Sequence, residues 1–519
     1  MTTTLATVHG FGEGVEKAGL VLVALMTGIV VLGAASRVGP RARALMALAV
    51  LVVTPVLLTA DIWNNHQLRH LRHHPAEAAA AIVVGLVVLV ALVVLFMRRP
   101  NWLALVAIAA LPFRLPISTG TTTSNLLIPL YLVVGAATIA DVIPRLRDSG
   151  PPPEEGPPTG RLEALLMGAV LVYALQSLYS SDFSKGLENA VFFYIPFGLL
   201  FGLLRRVRWD RELLLRCLGV AVVLAIVFCG LGFIEYSTKH LLLNPKVVRS
   251  NDYDNFFRVN SMFFDPNIYG RFLALVMIAV AAAVMWTANE RWVWIAGVIL
   301  LWLMGGLITS FSQSSIVALL VGLAIIAAVR WDVYRTLAVC LGVIAIGGVV
   351  VAAAPKRFHI GSSSTGANNA TSGRYDLIKN GLKLFGDRPL QGFGSGSFSK
   401  EYIAHNDANA EHATSASHTI PVTIAAEQGL IGLAVYVALI SVCLQRLCAG
   451  VTRAGPWLVP RLALAACFTA LLVHTMAYAD FLEDPMTWTL LGLGTALAAI
   501  RPTAAEPSAA AEPSTPVPA

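Results

Sequence analysis

Charge is what this chain has least of. Asp, Glu, Lys and Arg together make up 13% of its 519 residues, against 56% apolar residues, and the mean hydropathy is +0.71. That scarcity excludes an ordinary soluble enzyme, because no polar interval between the apolar runs is long enough for a soluble domain. The small positive balance, +7, is not a nucleic-acid signal, since basic residues in such a chain collect on cytoplasmic loops. Cysteine is also scarce. The six cysteines (Cys217, Cys229, Cys340, Cys443, Cys448, Cys467) lie in or beside apolar runs with no CxxC, so they read as small packing residues rather than disulfides or metal ligands. The N-terminal stretch has no basic region before its first apolar run, so no cleaved signal peptide is expected. A Walker motif, a GxGxxG fingerprint, HExxH and a nucleophile elbow are all missing where they could work.

What is present is a succession of runs of roughly 20 apolar residues, each enough to cross a ~30 Å hydrocarbon core. Candidate spans fall at 17–35, 44–60, 78–97, 101–115, 124–141, 162–180, 190–204, 212–233, 267–288, 292–309, 312–329, 335–354, 419–445, 461–478 and 486–500. The expected fold is therefore an all-α polytopic membrane protein with about 12–15 transmembrane helices. If the N-terminus is outside, alternate loops carrying Arg37/Arg41/Arg43, Arg98/Arg99, Arg145/Arg147, Arg205/Arg206/Arg208/Arg211, Arg291, Arg330/Arg335, Arg446/Arg453 and Arg501 are all cytoplasmic. Two long segments, Glu235–Pro266 and Pro355–Ser417, then lie on the outer face.

The organisation expected is 1–147 as accessory N-terminal helices, 148–161 as a Pro/Gly-rich cytoplasmic linker, and 162–354 as a transmembrane bundle. An extracytoplasmic loop (355–417), C-terminal helices (418–501) and a disordered tail (502–519) complete it. The 355–417 loop is the only long polar interval, and loops of that size usually bind something or are disordered. Inside it, a helix starting near Arg374 is amphipathic, with Lys379 and Lys383 beside its apolar face.

Several polar residues near the outer ends of spans carry candidate chemistry. Asp265-Pro266-Asn267 reads as a helix start, with Asp265 as N-cap. Arg258, just before it, either snorkels to lipid phosphates or offers a planar guanidinium to a substrate phosphate. Arg271 sits about one turn inside that helix, where a charge needs a partner or a wet cavity. Arg374 either belongs to a helix lying on the membrane or joins Arg258 on one anionic group. His418, at a membrane edge, is either an interfacial residue or a general base. Glu427, nine positions later, needs a buried donor and reads as support.

Ser310–Ser315, containing Gln313, forms a polar hairpin, and Asp480, Glu483 and Asp484 form an acidic turn that is either solvated or faces the arginines. His66, His70, His73 and His74 share one helical face, but Arg69 and Arg72 and the lack of nearby carboxylates favour an interfacial helix over zinc. Asn406–His412 only loosely suggests calcium.

In this order the motifs resemble the O-antigen ligase and polymerase superfamily of membrane glycosyltransferases. They are Arg258 before Asp265-Pro266-Asn267, the Ser310–Ser315 hairpin, Ser372-Gly373-Arg374, Gly392-Phe393-Gly394, and His418 followed by Glu427-Gln428-Gly429-Leu430-Ile431-Gly432-Leu433. The resemblance covers roughly residues 160–500 and implies a GT-C-like bundle that uses no metal and no cofactor. It further implies transfer of a glycan from an undecaprenyl-diphosphate-type donor to an acceptor hydroxyl of a glycan, lipid or protein. The reaction would take place at the outer face of a bacterial plasma membrane. Under the resemblance, Arg258 and Arg374 hold the diphosphate, His418 is the base, and Arg271, Asn267, Gln313 and Glu427 support them. Two positions depart from the family's pattern: Gln313 where Arg is frequent, and Thr419 where Asn is frequent.

Two other readings compete. A peptidoglycan-type polymerase would use an aspartate base, with Asp265, Asp376 or Asp407 as candidates. A transporter or flippase of lipid-linked glycans would place its charges near the membrane midplane, whereas this chain gathers them at helix ends.

Overall fold

The computed structural model describes residues 2–61, 75–119, 122–147, 156–242, 257–342, 374–406, 417–451 and 455–500. In chain order the first helices are α1 (Thr2–Leu32), α2 (Pro40–Asp61), α3 (Pro75–Arg98), α4 (Trp102–Ala110), α5 (Ile128–Leu146) and α6 (Arg161–Ser177). Then come α7 (Phe183–Arg206, bent by a π-turn at Ala190–Tyr194), α8 (Arg211–Thr238), α9 (Pro266–Val284), α10 (Glu290–Thr309), α11 (Gln313–Arg330) and α12 (Val333–Gly342). The last are α13 (Arg374–Asp387), α14 (Phe398–Asn406), α15 (Ile420–Cys448), α16 (Leu458–Thr475) and α17 (Pro485–Ala499). One antiparallel hairpin, β1 (Leu115–Thr119) with β2 (Thr122–Leu126), is the only sheet among the described residues.

Eleven of these helices are long and apolar enough to cross a membrane. They are α1, α2, α3, α5, α7, α8, α9, α10, α11, α15 and α16, with α6 and α17 slightly shorter at 17 and 15 residues. The all-helical polytopic architecture expected from hydropathy is therefore what the chain adopts. Residues 101–115 are an exception to the span assignment. They supply only the nine-residue α4, which rises about 14 Å, and the chain then turns into the hairpin. Of the 335–354 run, residues up to 342 are described.

Local sequence sets the helix starts. Asp182, Asp210, Asp265, Asn289, Ser312 and Asp484 each accept a hydrogen bond from a backbone N–H two or three residues on. Such a cap stabilises a helix by about 1 kcal/mol. Proline follows directly at Pro266 and Pro485, where its missing N–H costs nothing. Burial then sorts the helices. α9 is enclosed nearly throughout, packed by α11, α16 and α10, whereas α3 exposes Val83, Val84, Leu86, Val87 and Val90, an apolar face suited to lipid.

The helix ends fall into two groups. At one, Arg145 and Arg206 pair with Asp141, and Arg205 with Glu163, joining the ends of α5 and α7 to the start of α6. At the other, the ends of α10 and α16 meet the starts of α9, α11, α15 and α17, and the remaining polar groups gather there. α1 packs directly on α6 and α7.

Candidate active site

The site is built from helix ends brought together by one polar chain. Arg258, half-buried before α9, donates from Nη2 to Asn267 Oδ1 at 3.3 Å and from Nε to the Ser310 carbonyl at 3.3 Å. Asn267 Oδ1 also accepts from Ser312 Oγ at 2.9 Å, and Ser312 Oγ lies 2.7 Å from Ser315 Oγ. Ser315 and Ser314 hydroxyls sit 3.2 and 3.1 Å from His474 Nε2. The His474 ring packs edge-on to Tyr478 at 5.6 Å, and Tyr478 also meets His418 at 5.8 Å. Arg258 and His418, 160 residues apart in sequence, thus belong to one contiguous region. Gly270 makes this possible, because any Cβ there would lie 2.8 Å from Ser315 Oγ and 3.0 Å from Ser312 Cβ.

Arg271 joins the same region. Its guanidinium lies over the Tyr478 ring, 5.8 Å from the centroid, and 2.7 Å from Asp484 Oδ2, both side chains being buried. The approach is close but not directed: none of the Arg271 nitrogens makes a hydrogen bond among the described residues. So the acidic turn does face an arginine. Burial, with Asp265 and Asp480 nearby, pushes the Tyr478 hydroxyl well above its ordinary pKa, against the pull of Arg271 and Arg114. The phenol therefore stays neutral. Burial and the adjacent Asp480 likewise hold Glu483 above the usual carboxylate range.

Five non-glycine residues at this end adopt positive φ: Lys239 (55°), Ser261 (50°), Phe311 (48°), His418 (56°) and Asp480 (76°). Each costs on the order of 1–3 kcal/mol and persists only where the surroundings impose it. Their concentration at this end marks it as the constrained part of the molecule. Ser261 is imposed by buried Glu235 on α8, whose Oε2 accepts from the Ser261 N–H at 2.7 Å and whose Oε1 accepts from the Leu242 N–H at 3.0 Å.

Glu427 has a different task. Its carboxylate accepts from the Gly396 and Phe398 N–H groups at 2.9 and 3.1 Å, fastening the GFGSGSF turn onto α15. Two residues later α15 breaks at Gly429 (φ 63°, ψ −158°). Into the break dock the carbonyls of Pro389 and Leu390, accepting from the Leu430 and Ile431 N–H groups at 2.7 and 3.3 Å. Further up, Gly381 of α13 faces Val422 of α15. The two helices therefore run in the same direction, and Arg374, which opens α13, falls at the end where His418 precedes α15. The Arg374 side chain lies outside the described residues, as do Asp407, His66, His70, His73, His74 and most of Asn406–His412. Gln313 is exposed in the first turn of α11, next to the serine network, while Asp265 is committed to capping α9 through the Asn267 N–H at 2.6 Å.

The clamp around Gly429 is sensitive to single atoms. Gly394 has φ +99°, and a Cβ there would sit 2.3 Å from Ser180 Cα. Gly394→Ala is expected to lower stability by at least on the order of 1–3 kcal/mol, read as a drop in the thermal midpoint of the detergent-solubilised protein. Gly386→Ala, with nothing within 4 Å, should leave it unchanged.

The residues that sequence reasoning missed are His474, Tyr478 and Glu235, each unremarkable where it stands in an apolar or loop context. Among the described residues no cluster of His, Cys, Asp and Glu is arranged to hold a metal ion.

Residues 298–437 match the family model described as O-antigen ligase. That stretch holds Gln313, Arg374, His418 and Glu427, while Arg258, Asn267, Arg271, His474 and Tyr478 lie outside it. No curated protein matches the chain. Over residues 298–437 the chain is thus similar to the O-antigen ligase domain, and its eleven long apolar helices make it a multi-pass membrane protein.

Proposed function

We propose that the protein is a glycosyltransferase that moves a glycan from an undecaprenyl-diphosphate-type donor to an acceptor hydroxyl at the outer face of a bacterial plasma membrane. The observation that carries this reading is the unbroken chain Arg258–Asn267–Ser312–Ser315–His474–Tyr478–His418. It sets a cation suited to a diphosphate and an imidazole suited to a hydroxyl at one end of the bundle. The alternation of arginine-bearing loops supports placing this end outside.

In this mechanism Arg258, Arg374 and the buried guanidinium of Arg271 neutralise the diphosphate. The acceptor oxygen attacks the anomeric carbon from the face opposite the phosphate, and its proton passes to His418. The bond between the anomeric carbon and the phosphate oxygen breaks as the new glycosidic bond forms, and the lipid diphosphate leaves with the electron pair. Fixed cations are worth most where charge develops on the leaving group, so the reaction needs no resident metal or cofactor. Asn267 and the serines keep Arg258 aimed, Gln313 lies beside them, and Glu427 holds the clamp that places α13 beside α15. The O-antigen ligase description of the matched segment supports an envelope-glycan enzyme over a transporter. Asp265, committed as a cap, speaks against its use as the base of a peptidoglycan-type polymerase.

Transfer assays with a lipid-diphosphate glycan test the arginine half of this reading. Arg258→Ala should raise the apparent KM for the donor and lower kcat/KM by at least tenfold, about 1.4 kcal/mol. Arg258→Lys should recover only part, since an ammonium cannot make the two-pronged contact. Wild-type donor affinity in Arg258→Ala would remove the diphosphate role.

A further inference from the structure

A carboxylate inside a membrane helix is costly unless its oxygens are satisfied, and α8 carries one at Glu235, 1% exposed. Its two oxygens serve two separate places. Oε1 accepts from the Leu242 N–H at 3.0 Å and Oε2 from the Ser261 N–H at 2.7 Å. Leu242 follows α8 and Ser261 precedes α9, so one side chain holds both flanks of the connection between them.

The flank at Ser261 is the one that carries Arg258, and it is docked residue by residue. Val259, Asn260 and Ser261 are fully buried. The Val259 N–H donates to the Thr309 carbonyl at 3.3 Å, and Ser261 Oγ donates to the Phe228 carbonyl of α8 at 2.8 Å. From the other flank, the Lys239 ammonium lies 3.7 Å from the Tyr236 ring centroid and 5.2 Å from that of Phe257, the neighbour of Arg258. Arg258 itself is half-buried, and both of its hydrogen bonds, to Asn267 and the Ser310 carbonyl, are long at 3.3 Å. Such contacts can aim a guanidinium only if the backbone beneath it is already fixed. The left-handed backbone of Ser261 shows that it is held, since that conformation persists only under constraint.

We propose that Glu235 is the positioning residue for Arg258, holding residues 257–261 against α8 so that the guanidinium meets the donor diphosphate. This rests on the diphosphate role given to Arg258 above. A carboxylate suits the task because both oxygens accept. An amide offers one acceptor and turns N–H donors toward the other flank.

Donor kinetics of the full-length protein with a lipid-diphosphate glycan test it. Glu235→Gln should raise the donor KM about tenfold with kcat changed less than about twofold, since a misaimed guanidinium weakens donor binding and leaves His418 in place. In an Arg258→Ala background the same substitution should add nothing, because no guanidinium is left to aim. A purely structural role would instead lower turnover and the thermal midpoint alike in both backgrounds. Glu235→Asp, a methylene too short to span both flanks, should give an intermediate KM. Glu212→Gln, in an exposed pair with Arg216 at the opposite end of α8, should leave the kinetics unchanged. An unchanged KM in Glu235→Gln beside a raised KM in Arg258→Ala overturns this inference and leaves the diphosphate role standing. An unchanged KM in Arg258→Ala removes that role and this inference with it. An equal rise in the Arg258→Ala background, an equal rise in Glu212→Gln, or unfolding of both Glu235 variants also overturns it, the carboxylate then serving the bundle as a whole.

Discussion

His418→Ala is expected to lose about 10²- to 10⁴-fold in turnover, the usual worth of a positioned general base, with donor KM little changed. The expectation rests on placement. His418 stands at the junction between the clamped loop and α15, in a left-handed conformation, with its ring against Tyr478. Tyr478 cannot substitute as the base, because its hydroxyl is held neutral by burial. His474 is fully buried and engaged by Ser314 and Ser315. His418→Gln separates the two tasks of the imidazole, since an amide can orient an acceptor hydroxyl but cannot take its proton. It should be nearly as inactive as alanine. Near-normal turnover in both variants, with thermal midpoints unchanged, would end the base assignment.

How much of this could be read from the chain alone depends on sequence distance. Asp265-Pro266-Asn267 was legible because capping and the proline preference act within a few residues. The serine hairpin was legible as polar, but not its connection to His474, whose partners lie 159 and 160 residues away. No local pattern encodes such a contact. The need of Glu427 for a buried donor followed from the cost of a carboxylate inside a span. That the donors are backbone N–H groups of the Gly396–Phe398 turn depends on a docking that only the folded chain displays.

The break at Gly429 was hidden for a different reason: AAEQGLIGLAVY keeps an apolar character a continuous helix would share, while a tertiary contact with Pro389 and Leu390 decides the backbone. Hydropathy also overcounted at 101–115, because it registers apolar composition and not whether the helix is long enough. Burial of Arg145 and Arg205 was equally invisible, since composition records charge but not shared carboxylates.

Asp484→Ala should be the most destabilising single change at the site end, by about 3–5 kcal/mol. Arg271 and Asp484 are 1% and 0% exposed and 2.7 Å apart. Removing the carboxylate leaves a buried guanidinium without its ion-pair partner, a larger penalty than the pair's net attraction. Asp484 has a second role, accepting from the Met486 N–H at 2.9 Å to cap α17, so alanine also loses about 1 kcal/mol of cap energy.

Asp484→Asn divides these contributions, because asparagine caps as well as aspartate but carries no charge. It should retain the cap and still lose most of the stability. Arg271→Met strands the carboxylate instead and should be comparably destabilised. The double variant Arg271→Met/Asp484→Asn contains neither buried charge, so it should be more stable than either single variant, with a coupling energy of at least ~1 kcal/mol in a double-mutant cycle. Unfolding in graded denaturing detergent measures all four proteins. If Asp484→Asn unfolds like the wild type, the ion pair contributes nothing and the cap alone explains the residue. If instead the double variant regains stability but not transfer, Arg271 is held in this bundle for the diphosphate rather than for the fold. That result would explain why a guanidinium with no directed hydrogen bond sits over Tyr478 in the interior.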